Sequence, residues 1–256
     1  IPMEYAEKNG LNAIKAGDNQ GVYITVAIPE TQKAGVYTGE FTVSLDGVTK
    51  TFTGKVTVLD YTLPKETTAR SCMVVNGTRT DNLQYTELDS SQQSYWKYVE
   101  MLGDFRLSAQ YAYGKKENPD SVEDVEILAE LQAEYMLKAT RDYPGISTYS
   151  VRTNSKLVTL EGYSEQKHVL NEQYFMIYAK KMVDKSLESG YNLFKKASVY
   201  MGSIIDEPED TVGTGVVDYV CEQFHSCQRE TVNYLNAVKG DTDQKFADEL
   251  AQSIMD

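Results

Sequence analysis

The spacing of apolar residues changes once along this chain, and no other feature constrains the fold as much. Before Tyr61, side chains alternate with the period of two that a half-buried β-strand requires. Val22, Ile24, Val26 and Ile28 alternate with Tyr23, Thr25 and Ala27 and stop at Pro29. Phe41, Val43 and Leu45 continue the pattern, Asp46-Gly47 supplies a tight-turn signal, and Phe52, Val56 and Val58 return. This predicts an antiparallel meander with one buried face, half of a β-sandwich. After Leu63-Pro64 the chain alternates short apolar runs with long 3.6-period stretches, the signature of a parallel sheet with crossover helices. The expected organisation is a sandwich-like domain over 1–63, a linker over 64–70 and a second domain over 71–256.

The second domain is predicted to contain four βα units. Its strands are Ser71–Val75, Leu107–Tyr113, Ile146–Val151 and Ala197–Asp206. The intervening helices are Leu88–Arg106, one opened by the capping box Ser121-x-x-Asp124, and Gln166–Leu187, with a further helix from Gly215 to Val238. A closed (β/α) barrel needs eight such units, so the expectation is an α+β chain in which a TIM-barrel-like domain has only its first half present. A half-barrel leaves an open sheet edge and lacks the opposite wall of a pocket, so self-association and little or no activity of this piece alone are expected.

The apolar run Ala197–Ile205 ends in Asp206-Glu207-Pro208. Two acids at the exit of a buried parallel strand stand where barrels keep their chemistry. Successive strand residues point to opposite faces, so adjacent carboxylates converge only where the chain bends, and Pro208 favours a bend. Two close acids in a desolvated pocket would have their proton affinities pushed apart. The competing reading is a solvated acidic turn that caps the next helix. Glu209 and Asp210 extend the acidity without the loop spacing of a calcium site. On the same predicted rim, Arg79 follows the first strand, and Tyr111 and Tyr113 close the second. They are candidates for stacking on or hydrogen bonding to a substrate, set against simple surface filling.

A formal net charge of −13 with dispersed basic residues opposes a polyanionic partner, so nucleic acid is not expected. Neutral sugars remain open. No apolar run is long enough to span a membrane. The 19 tyrosines mostly fall at core spacings. Three cysteines are too few for a disulfide scaffold. Within Cys221-x3-His225-x-Cys227, positions 221 and 225 share a helix face while 227 is rotated away, so no metal site and no cofactor are expected.

Asp18-Asn19-Gln20-Gly21-Val22-Tyr23-Ile24-Thr25-Val26, then Ala34–Val43 with Gly35-Val36-Tyr37-Thr38-Gly39, resemble one sandwich module. It is that of glycoside hydrolase family 123 and the related domain-of-unknown-function family 4091. Leu63-Pro64, Leu102–Arg106 and Asp206-Glu207-Pro208 are similar to that group in the same order. The resemblance implies a sandwich followed by a (β/α)8 barrel, and a retaining, substrate-assisted β-N-acetylhexosaminidase of bacterial, secreted or cell-surface type. It implies that Glu207 protonates the glycosidic oxygen and later activates water. Asp206 would then polarise the 2-acetamido group that attacks the anomeric carbon. The substrate would be a glycan containing N-acetylhexosamine. The alternative is a non-catalytic carbohydrate-binding or cell-surface module of the same architecture.

Overall fold

In the computed structural model of the chain, residues 8, 10, 13–73, 98–110, 119, 121–199 and 213–256 are described. The chain divides into two compact units, Ile1–Leu63 and Pro64–Asp256. The described structure is mixed α and β, with antiparallel strand pairs and long helices.

The first unit is built on one hairpin. Strands β1 (Gly35–Leu45) and β2 (Val48–Val58) pair along their whole length, from Gly35 opposite Val58 to Leu45 opposite Val48. Asp46 (φ 48°) and Gly47 (φ 78°) make the two-residue turn, both left-handed as a twisted hairpin demands. The register places Tyr37, Phe41, Val43, Leu45, Val48, Phe52, Val56 and Val58 on one face, and the threonines with Glu40 and Lys55 on the other. Phe41 and Phe52 stack across the strands with centroids 5.4 Å apart. The expected meander is corrected here. Residues 13–34 contain no strand, because the extended Val22–Ile28 segment finds no backbone ladder among the described residues. Instead Ile24, Val26 and Ile28 line an open apolar groove of about 420 Å³ with Tyr37, Phe41, Val56 and Val58.

In the second unit, four short extended segments lie side by side in chain order and run in the same direction. Met73 N–H donates to Ser108 O (2.7 Å) and Gln110 N–H to Met73 O (2.9 Å). Ser150 N–H donates to Gln110 O (2.9 Å), and β3 (Tyr149–Val151) pairs in parallel with β6 (Ala197–Val199). Between β3 and the next helix stands an antiparallel hairpin of β4 (Ser155–Thr159) and β5 (Gln166–Leu170). Gln166–Leu187 was expected as one helix. Its first five residues are instead strand β5, with His168 opposite Leu157, and the helix starts only after Asn171.

Helices α1 (Val122–Arg141), α2 (Glu172–Ser189), α3 (Gly213–Val238) and α4 (Gln244–Met255) pack in succession. Local chemistry explains their starts. Ser121 Oγ accepts from Asp124 N–H (3.1 Å), Asn171 Oδ1 from Tyr174 N–H (3.3 Å) and Asp243 Oδ1 from Phe246 N–H (3.0 Å). Gly190 ends α2 in the left-handed region at φ 72°. The main core joins Leu128, Tyr135 and Met136 of α1 to Tyr149, Leu170, Phe175, Tyr178 and Met182. A smaller cluster of Val183, Leu235, Leu250 and Ile254 ties α2, α3 and α4 together. Tyr135 donates to Ala109 O (2.7 Å), which ties α1 to the sheet, and Tyr149 donates to Leu193 O (2.5 Å), which ties β3 to the turn before β6. No helix among the described residues is long and apolar enough to cross a membrane.

Candidate site at the polar face of the parallel segments

The parallel segments have two chemically different faces. Ala109, Tyr149 and Val151 are buried in the core with the helices. The residues that alternate with them are polar: Cys72, Ser108, Gln110, Thr148, Ser150 and Ser198. Ser108, Gln110, Thr148 and Ser150 are nonetheless buried. Ser108 and Thr148 are satisfied by neighbouring hydroxyls and by the backbone, as buried polar groups must be. Ser108 Oγ accepts from Ser147 N–H (2.9 Å) and lies 3.2 Å from Ser147 Oγ. Thr148 Oγ1 donates to Lys196 O (3.0 Å), and Ser198 Oγ to Tyr149 O (3.1 Å).

Two contacts skip a segment. Cys72 Sγ lies 3.7 Å from Ser150 Oγ, and Ser71 N–H donates to Ser147 Oγ (3.1 Å), in each case across the 108–110 segment. In a flat sheet, segments two apart stand about 10 Å from each other. Side chains can meet over that gap only if the segments curl toward their polar face.

The C-terminal ends of the four segments lead into residues 74–97, 111–118, 152–171 and 200–212. Arg79, Tyr111, Tyr113, Asp206 and Glu207 fall within the first, second and fourth of these stretches, and all five lie outside the described residues. The described neighbours are Gln110, next to Tyr111, and the ends of β6 and α3, which flank the stretch with Asp206 and Glu207.

The third stretch is described, and sequence reasoning passed over it. It opens with Arg152, Thr153 and Asn154 directly after β3 and continues into the β4–β5 hairpin. Thr153 is buried, and Asn154 takes the left-handed conformation (φ 46°) at the turn into β4. Its buried Oδ1 has no hydrogen-bond partner among the described residues. Burial pushes the Tyr178 hydroxyl up to about 12, while the positive charge of Arg152 pulls the other way, which sets that guanidinium near α2. At the hairpin's tip, Tyr163 lies with Lys167 Nζ 5.6 Å from its ring centroid. Its hydroxyl covers Gly215 in the first turn of α3, 2.7 Å from where a Cβ would stand. Polar residues immediately after an apolar strand were the sequence signal for this rim, and Gly162 (φ 86°) was the signal for the turn.

A second concavity, about 440 Å³, lies beside β6. Phe175, Ala179 and Met182 of α2, Ala197–Val199, Cys221, Phe224, His225 and Gln228 of α3, and Asp256 line it. Cys227 is buried, and burial pushes its thiol up to about 12. Cys72 and Cys221 are exposed free thiols.

Comparison with protein-family models, with curated proteins and with solved structures finds no match.

Proposed function

We propose that this chain is a glycoside hydrolase of the type found in family 123 and the related 4091 group, acting on glycans that contain N-acetylhexosamine. The observation that carries the reading is the curled set of four parallel segments in chain order, helices on one face and hydroxyl and amide groups on the other. Parallel strands in sequential order with helices on their outer face are the pattern of a (β/α) barrel, whose active site gathers at the C-terminal strand ends. The stretch holding Asp206-Glu207 leaves from such an end, directly after β6. In this reading Glu207 is the general acid and then the base. Asp206 polarises the substrate's 2-acetamido group, and Arg79, Tyr111 and Tyr113 contact the sugar. The same resemblance supports a secreted or cell-surface, bacterial protein with no cofactor.

The test is hydrolysis of chromogenic β-N-acetylgalactosaminide and β-N-acetylglucosaminide. Removing a general acid from a proton-transfer step costs on the order of 10²–10⁴ in rate, so Glu207→Gln is expected to lose at least about a hundredfold in kcat. Equal rates for the wild type and Glu207→Gln defeat the assignment. Glycan binding without hydrolysis in either protein moves the chain to the non-catalytic module instead.

A further inference from the structure

We propose that Cys221 and His225 form an open transition-metal site that binds Zn²⁺ through two protein donors. The two residues stand one turn apart on α3, and both line the groove beside β6. Residues at this spacing project from the same side of a helix. The imidazole is held as a ligand imidazole needs to be. Gln228 is buried, and its Nε2 donates to Ile254 O at 2.7 Å. A carbonyl oxygen can only accept, so the amide nitrogen must face Ile254 and Oε1 must face His225. His225 Nδ1 lies 2.8 Å from that Oε1 and must therefore carry the proton. In the neutral ring this leaves the lone pair on Nε2. A histidine ligated through one nitrogen and donating its other N–H to a fixed acceptor is the usual metal-bound arrangement.

Cys221 supplies the second donor. Its thiol is exposed, and metal binding would release its proton to solvent. Cys227 does not take part, because it is buried in the core. Among the described residues, no three His, Cys, Asp or Glu side chains gather at one point, so these residues do not form a closed structural zinc site. With two protein donors, the remaining tetrahedral positions fall to water or to an incoming ligand. Two charged residues line the same groove with opposite effects: Asp256 favours a cation and Arg70 opposes it.

The reduced, metal-free protein titrated with Co²⁺ is expected to show a thiolate-to-metal charge-transfer absorption that excess Zn²⁺ removes. Cys221→Ser should abolish that band, and His225→Ala should weaken Zn²⁺ binding at least about tenfold. Cys72→Ser and His168→Ala, which change the other exposed thiol and the other histidine, should leave both unchanged. Zn²⁺ should raise the Tm of the wild type and not that of Cys221→Ser. If His225 serves only to satisfy Gln228, then His225→Ala lowers Tm while Zn²⁺ has no effect on any variant. That result, or a charge-transfer band that survives Cys221→Ser, overturns the proposal.

Discussion

Single side chains decide how the helical layer holds the sheet. Tyr149 is fully buried in β3, where its hydroxyl donates to Leu193 O and meets Thr140 Oγ1 at 3.1 Å. Burial pushes its pKa well above the ordinary tyrosine value, so the hydroxyl stays protonated and keeps donating. Tyr149→Phe keeps the ring and removes the donor, leaving a buried carbonyl unsatisfied. We expect a loss of about 1–3 kcal/mol in urea denaturation. An unchanged midpoint would mean that water replaces the hydroxyl. The many tyrosines were read from their spacing as core residues, and Tyr135, Tyr149 and Tyr178 are among the largest fully buried side chains. The carbonyl partners of Tyr135 and Tyr149 were invisible in the sequence, because Ala109 and Leu193 are 26 and 44 residues away along the chain.

Among the elements, α1 and α2 are joined by charge as well as by packing. Lys185 Nζ reaches Glu134 at 2.6 Å and Glu130 at 3.3 Å, and Lys181 reaches Glu130 at 2.9 Å. The hydrogen bond from Lys181, with Lys185 adding to it against some desolvation, holds the Glu130 carboxyl below its usual value. Because the folded value lies below the unfolded one, this contribution is present above about pH 4.5 and is lost as pH falls through the folded value. Lys185 is displaced upward, chiefly by Glu134, so its contribution persists below the ordinary lysine range and fades only at higher pH. Glu130 is half exposed, and solvent screening keeps the effect small. Thermal melts between pH 7 and pH 3 should therefore show a shallower acid slope for Glu130→Gln than for the wild type; parallel slopes would remove the pair from the account. In the first unit the hairpin depends on its turn. A Cβ at Gly47 would meet nothing within 4 Å, so Gly47→Ala isolates the cost of the left-handed backbone, about 1 kcal/mol. Faster amide exchange across Thr38–Thr53 is the expected readout. Asp46-Gly47 and the Ser121 cap were legible because turns and caps are local chemistry. The start of α2 was not. Leu170, Tyr174 and Ile177 keep a helical interval across Asn171, and the strand pairing of 166–170 depends on the distant Ser155–Thr159.

At the scale of the molecule, charge and exposed apolar surface oppose each other. The hairpin's apolar face is largely uncovered, with Val43, Leu45, Val48 and Phe52 all exposed. Surfaces of this kind favour association. A net charge of −13 works against it over a distance that salt shortens. Sedimentation should therefore show more association at about 0.5 M salt than at low salt. A single monomer mass at both would count against the apolar face as a contact surface. The sequence by itself determined the local matters: the change of period near Leu63, the Asp46-Gly47 turn and the Ser121 cap. It could do so because these depend on residues a few positions apart. Tertiary structure alone decided that Val22–Ile28 finds no ladder, that 166–170 pairs as a strand, and that the parallel segments turn hydroxyls and amides toward one face. It alone brought Cys72 to Ser150 and Ser71 to Ser147, each over an intervening segment. Curvature of that kind arises from how segments far apart in the chain pack against one another, and no short window of residues carries it.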